Sequence, residues 1–302
     1  MNTTKTVDVK IAEMGPRDGL QNESANVPLS TRVELVNRLS DCGLHYIEAG
    51  SFVSPKWVPQ MADSASVFAG IQRKQGVTYA ALTPNMKGFE QSLAAGVDEV
   101  AVFASASEGF SWRNINCDIH TSLERFKPLL EAAMKENMRV RGYVSCIFAC
   151  PYDGLTRPEQ VLDVSQRLLD MGCYEISLGD TIGVGVPGKT RALLKHLKQH
   201  ADLSDFAMHF HDTYGQAIAN TYVSLEAGIR AFDSSVGGLG GCPYAKGASG
   251  NMATEDLVYL LEQEGLTHGV DLSALSETGH WVSAELGRVS QSKVGRAICG
   301  VC

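Results

Sequence analysis

The sequence predicts an α/β chain closed into a (β/α)8 barrel. Three observations point there. Helical patterns ending in a small residue and glycine are repeatedly followed by a short β-rich run: Cys42-Gly43 before His45–Glu48, Ala95-Gly96 before Asp98–Phe103, Met171-Gly172 before Tyr174–Leu178, and Ala227-Gly228 before Arg230–Asp233. Eight strand-like runs can be placed, with amphipathic segments between them. The run after the first strand reads Gly15-Pro16-Arg17-Asp18-Gly19 rather than G-x-G-x-x-G, which argues against an open dinucleotide-binding sheet.

Strands are expected near 7–13, 45–49, 78–82, 98–104, 139–145, 174–179, 206–211 and 230–235. Leu29–Leu39 sets Val33, Leu35, Val36 and Leu39 at mostly helical spacing, and Leu123–Met134, Val161–Leu169, Arg191–Leu197 and Leu257–Leu261 read similarly. Strands alternating with helices imply a parallel sheet, and eight units close it into a TIM barrel. A glycine-rich lid after the eighth strand and further C-terminal helices complete the expectation. Barrels of this length occur as one domain, so residues 1–302 are read as a single catalytic domain.

Composition narrows the function. Charged residues are 20% of the chain, apolar residues 44%, and the net charge is −8, so nucleic acid is not an expected partner. Eight cysteines spread from Cys42 to Cys302 read as reduced thiols rather than a disulfide scaffold. No apolar run suits a signal peptide or a membrane span, and the expected location is the cytoplasm.

Catalytic groups in such a barrel belong at the C-terminal ends of the strands. His209-Phe210-His211-Asp212 closes the seventh strand, where residues i and i+2 share a face, so both imidazoles can serve one ion. Asp18, at the end of the neighbouring first strand, adds a carboxylate. That donor set suits Mg²⁺, Mn²⁺, Fe²⁺, Co²⁺ or Zn²⁺. Residues 237–251 hold six glycines around Cys242, as in a lid that delivers one thiol, and Asn251 offers a carbonyl oxygen to the ion. Arg17 can stabilise an oxyanion beside Asp18. Glu48 points inward on the second strand. Asp180, at the end of the sixth, can orient a neighbour or cap a turn. Arg141 can pair with an inward acid.

Three segments, Gly15–Glu23, Ser51–Met61 and the loop 237–251, together resemble the 3-hydroxy-3-methylglutaryl-CoA lyase family, whose superfamily makes or breaks C–C bonds. The resemblance implies that Asp18, His209, His211 and Asn251 bind Mg²⁺ or Mn²⁺. It implies that Arg17 steadies a thioester enolate, that Cys242 is the catalytic thiol, and that Glu48 and Asp180 support catalysis. Gln21 and Ser51 match residues lining the site, and Cys299 matches a C-terminal thiol. The implied reaction is metal-dependent retro-Claisen cleavage of an acyl-CoA thioester, 3-hydroxy-3-methylglutaryl-CoA, to acetoacetate and acetyl-CoA, with His211 and Asp18 both open as the base. The alternatives are a lyase for a longer branched 3-hydroxyglutaryl-CoA and a related condensing synthase. The resemblance also implies a homodimer, and Lys56 and Lys246 are candidate CoA contacts.

Overall fold

The computed structural model describes residues 7–23, 26–241 and 250–300. Eight parallel strands close into a barrel: β1 (Lys10–Glu13), β2 (Tyr46–Ser51), β3 (Thr78–Leu82), β4 (Glu99–Ser105), β5 (Arg139–Ser145), β6 (Glu175–Asp180), β7 (Phe206–Phe210) and β8 (Ala231–Ser234). Each pairs with the next in sequence, and β8 closes on β1 with Glu13 opposite Ser234. The expected strand order and closure are met, with ends that differ by a few residues. A short antiparallel pair, Ala149–Cys150 with Gly154–Leu155, follows β5.

Helices wrap the outside: α1 (Leu29–Asp41), α2 (Ser64–Gly70), α3 (Met86–Ala94), α4 (Glu108–Ile115), α5 (Ile119–Lys135), α6 (Pro158–Asp170), α7 (Pro187–Leu197) and α8 (Ala217–Ala227). Three more, α9 (Thr254–Gln263), α10 (Leu272–Glu285) and α11 (Lys293–Cys299), follow the barrel. The helix starts are written in the sequence. The side chains of Asn85, Ser107, Asp118, Asp271 and Ser292 each accept a backbone N–H of the first turn, a cap worth about 1 kcal/mol. The glycines that signalled helix ends do so because Gly43, Gly96, Gly172 and Gly228 adopt positive φ there.

The main core lies between strands and helices, with Val100, Val102, Val144, Ile176 and Leu178 facing the helical ring. A smaller apolar group fills the barrel interior: Ala12, Met14, Tyr46, Ala80, Leu82, Ala101 and Tyr143. The rest of the interior is charged. Arg141 and Asp233 lie there with fully buried side chains. Burial of such ions is costly unless each is paired, and Arg141 on β5 pairs with Asp233 on β8 across the barrel. Among the described residues, no helix is long and apolar enough to cross a membrane.

Candidate active site

The first loop explains why Arg17 and Asp18 lie together at the barrel mouth. β1 ends at Glu13, and the chain then makes one wide turn over Gly15–Gly19 in which the Gly19 N–H donates to the Met14 carbonyl at 3.0 Å. Asp18 therefore sits in this i-to-i−5 turn rather than on the strand itself. Such turns recur at functional sites because they redirect side chains. The turn is anchored by Glu13, whose Oε1 accepts the N–H of Gly15 at 2.8 Å and of Val236 at 2.9 Å, while Oε2 accepts the Thr254 hydroxyl at 2.6 Å. One buried carboxylate thus ties the loop after β1 to the loop after β8.

Arg17 is held on two sides. Its Nε donates to Glu48 Oε2, its Nη1 donates to Asp18 Oδ1 at 2.7 Å, and the guanidinium lies over the Tyr143 ring. Glu48 is fully buried and accepts the Tyr143 hydroxyl at 3.0 Å through its other oxygen. Burial pushes the Glu48 carboxyl up despite the Arg17 charge beside it. Burial opposes the charge of Arg17 too, but Glu48 and Asp18 outweigh it and keep the guanidinium protonated.

β7 supplies His209, and His211 follows one residue past its end, bridged to Asn251. His209 Nε2 lies 4.0 Å from Asp18 Oδ2, and the two imidazole rings are 5.2 Å apart. Ligand atoms of Asp18, His209 and His211 all fall within 4.8 Å of one another, as one metal ion requires. Asn251 arrives because Gly250–Ala253 threads back between β7 and β8. The Met252 N–H donates to Phe210, and the Ser235 N–H donates to Met252. Asn251 spends its Nδ2 on Asp18 Oδ2 at 2.8 Å and Leu239 O at 3.2 Å.

The donor atoms fit a cation. Asn251 Oδ1 and His211 Nδ1 are buried without a hydrogen-bond partner. An orphaned carbonyl beside a carboxylate and imidazoles is a costly arrangement unless a positive group satisfies it. The electrostatics agree. Burial would raise Asp18, but Arg17 and the imidazoles hold it down at about 2, so it is ionised. Burial and the neighbouring His209 push His211 down to about 4, so it is neutral and its lone pair is free.

Among the other candidates, Ser51 ends β2, buried, its hydroxyl accepting the Val53 N–H at 3.2 Å. Gln21 is half-buried just beyond the first turn, and Lys56 is exposed. Asp180 commits both oxygens to backbone, accepting the N–H of Val184 at 3.1 Å and of Gly185 at 2.8 Å. Burial raises it to about 6 against these bonds. It therefore shapes the loop after β6. Arg141 does find an inward acid, Asp233, in a bidentate pair. Cys42, Cys117, Cys146, Cys150, Cys173 and Cys299 are free thiols. Cys242, Lys246 and Cys302 lie outside the described residues.

The sequence reading passed over Tyr143, Asp233, Glu13 and Glu255. Asp233 lies on β8 directly opposite His209, a placement that only the register of β7 with β8 reveals.

Fold and site together define a barrel with a place for a divalent cation among its side chains. Comparison with known proteins gives the family. Residues 8–282 match the HMGL-like family, and the chain belongs to it. A protein of Pseudomonas aeruginosa, 3-hydroxy-3-isohexenylglutaryl-CoA/hydroxy-methylglutaryl-CoA lyase, is 58% identical over 298 residues, 99% of each chain. The crystal structure of hydroxymethylglutaryl-CoA lyase from Pseudomonas aeruginosa superposes with a TM-score of 0.95 at 58% identity, covering 98% of both chains. An HMG-CoA lyase from Acinetobacter baumannii, solved with coenzyme A and 3-methylmalate, matches with a TM-score of 0.91 at 36% identity, over 96% of this chain and 94% of that one.

Proposed function

We propose that the chain is a divalent-metal-dependent lyase that cleaves 3-hydroxy-3-methylglutaryl-CoA to acetoacetate and acetyl-CoA. The observation that carries the reading is the meeting of Asp18, His209, His211 and the unpartnered Asn251 Oδ1 beside a clamped Arg17. The lyases named above, alike over nearly the whole chain, support the substrate class. Asp18, His209, His211 and Asn251 would hold the ion, Mg²⁺ or Mn²⁺ as the family resemblance implies, through nitrogen and oxygen donors that suit either. Bound there, it would lower the pKa of the substrate's tertiary hydroxyl.

The chain's own groups do the rest. A base, His211 or Asp18, takes the hydroxyl proton. The new C3 carbonyl forms as the C2–C3 bond breaks, and its electron pair passes into the thioester enolate. Arg17, already oriented by Glu48 and Asp18, faces the developing oxyanion with a fixed positive charge. Cys242 then gives its thiol proton to C2, completing acetyl-CoA. An ordinary thiol, with a pKa near ~8.5, is mostly protonated at neutral pH and can act as this acid. Gln21 and Ser51 line the substrate, Glu48 positions Arg17, and Asp180 holds the loop after β6. The reading takes residues 1–302 as one catalytic unit in the cytoplasm, a homodimer as the family resemblance suggests, with CoA thioester as its small-molecule partner.

The test is turnover of purified protein with Mg²⁺ on two thioesters, 3-hydroxy-3-methylglutaryl-CoA and its isohexenyl homologue. Acetoacetate release from the first is expected. Cleavage of the homologue alone, or of neither, would overturn the assignment.

A further inference from the structure

His209 is gripped on the side away from Asp18. Its Nδ1 lies 3.1 Å from Asp233 Oδ2, and its Nε2 points toward Asp18. Asp233 is fully buried and saturated. Arg141 donates Nη2 to Oδ1 at 2.7 Å and Nη1 to Oδ2 at 3.1 Å, and Ser177 donates its hydroxyl to Oδ2 at 2.6 Å. Arg141 in turn donates Nε to Glu175 Oε1 at 2.6 Å, where Lys10 Nζ also arrives at 2.9 Å. An alternating column of charge, Lys10, Glu175, Arg141 and Asp233, therefore rises from the closed end of the barrel and stops at one imidazole nitrogen.

The consequence is chemical. A carboxylate paired with a guanidinium only accepts hydrogen bonds, so the imidazole nitrogen facing it must carry hydrogen. The other nitrogen is then the one with a lone pair. We infer that Asp233, braced by Arg141, is a positioning residue that locks His209 in its Nδ1–H tautomer and so presents Nε2 to the divalent ion. The inference rests on the proposed ion site at Asp18, His209 and His211, and it adds a reason for the charged column: the barrel interior orients a ligand as well as joining strands. Tyr143 accepts Arg141 Nη1 at 3.3 Å and donates to Glu48, which also holds Arg17, but none of Tyr143, Glu48 and Arg17 reaches His209 Nδ1 among the described contacts. Partners of this kind, which hold a ligating histidine through its far nitrogen, typically change metal affinity 10–100-fold when removed.

Two measurements test it. In metal-free protein labelled with ¹⁵N-histidine, at a pH where the ring is neutral, His209 should show a protonated Nδ1 and a bare Nε2, its signals assigned by their loss in His209→Gln. A protonated Nε2 would overturn the inference. Mn²⁺ titration followed by electron paramagnetic resonance should show Asp233→Asn weakened roughly 10–100-fold. The new carboxamide can donate to Nδ1 and favour the wrong tautomer. Glu99→Gln removes another fully buried carboxylate, one bonded to Tyr46 and Tyr174 instead, and should leave Mn²⁺ affinity unchanged. Unweakened binding in folded Asp233→Asn, or an equal loss in Glu99→Gln, contradicts the inference. If the unmodified protein binds no Mn²⁺, the ion site itself fails, and the tautomer still decides the role of Asp233. The tautomer also decides it if Asp233→Asn does not fold.

Discussion

Arg17 shows how a single residue joins packing to chemistry. Two carboxylates and an aromatic face fix its guanidinium before any substrate arrives. Lysine carries the same charge but lacks the planar fork, so it can serve Glu48 or Asp18 and not both. Leaving a buried partner unmatched costs about 3–5 kcal/mol. We therefore expect Arg17→Lys to lose on the order of 10²–10³ in kcat, the usual loss for one oxyanion donor. Near-normal steady-state turnover in a folded variant would remove Arg17 from the proposed step. Cys242→Ser should retain Mn²⁺ binding and lose roughly 10²–10⁴ in rate, the range for a general acid. Rates within a few fold of the unmodified protein would exclude the thiol as the proton donor. At this scale the sequence was partly legible. Asp18, His209 and His211 were visible because strand alternation and strand ends predict where they point. The Arg17–Glu48 and Arg141–Asp233 pairs were not, because they join residues 31 and 92 positions apart: pairing of β1 with β2 brings the first together, and the closed barrel brings the second together.

Among the elements, the described start of the loop after β8 depends on backbone geometry. Gly237 and Gly240 adopt positive φ, and a Cβ on Gly240 would come within 2.9 Å of Asn251 Nδ2. Any side chain there would displace the candidate ligand. Two buried acids hold the stem of this loop. Glu13 binds the Val236 N–H, and both oxygens of Glu255 accept the Gly237 N–H at 2.9 Å. Burial pushes Glu13 up to about 7 and Glu255 up to about 8, from an ordinary 4.5. The folded chain thus holds more protons than the unfolded one between these values. The stability linked to both groups is fully present below 4.5 and is lost as pH rises through 7 and 8. Glu255→Gln cannot ionise, so its melting temperature should fall less than that of the unmodified protein between about pH 5 and 8.5. An equal or steeper fall would show that Glu255 is not the titrating group. The sequence marked the loop by its glycines. It gave no sign of the acids beneath, since a glutamate at the end of a strand or early in a helix is ordinarily solvated.

For the whole molecule, closure of the barrel makes the site. Strands 1, 7 and 8 lie side by side only because β8 pairs with β1, and that pairing brings the Gly15–Gly19 turn to His209 on β7, to His211 just past it and to Asn251. The alternation of helix-ending glycines with β-rich runs made this architecture legible from the sequence. The charged interior was not, because an inward acid and an outward one look alike until the register of eight strands is known. The central claim is that this assembled centre performs divalent-metal-dependent cleavage of the hydroxyacyl-CoA. It is tested most directly by stripping the protein of metal with a chelator and following acetoacetate release from 3-hydroxy-3-methylglutaryl-CoA as Mg²⁺ or Mn²⁺ is added back. The account predicts no turnover in the stripped protein and recovery that saturates at one ion per chain. Full turnover without metal, or none after metal is restored to folded protein, would contradict it.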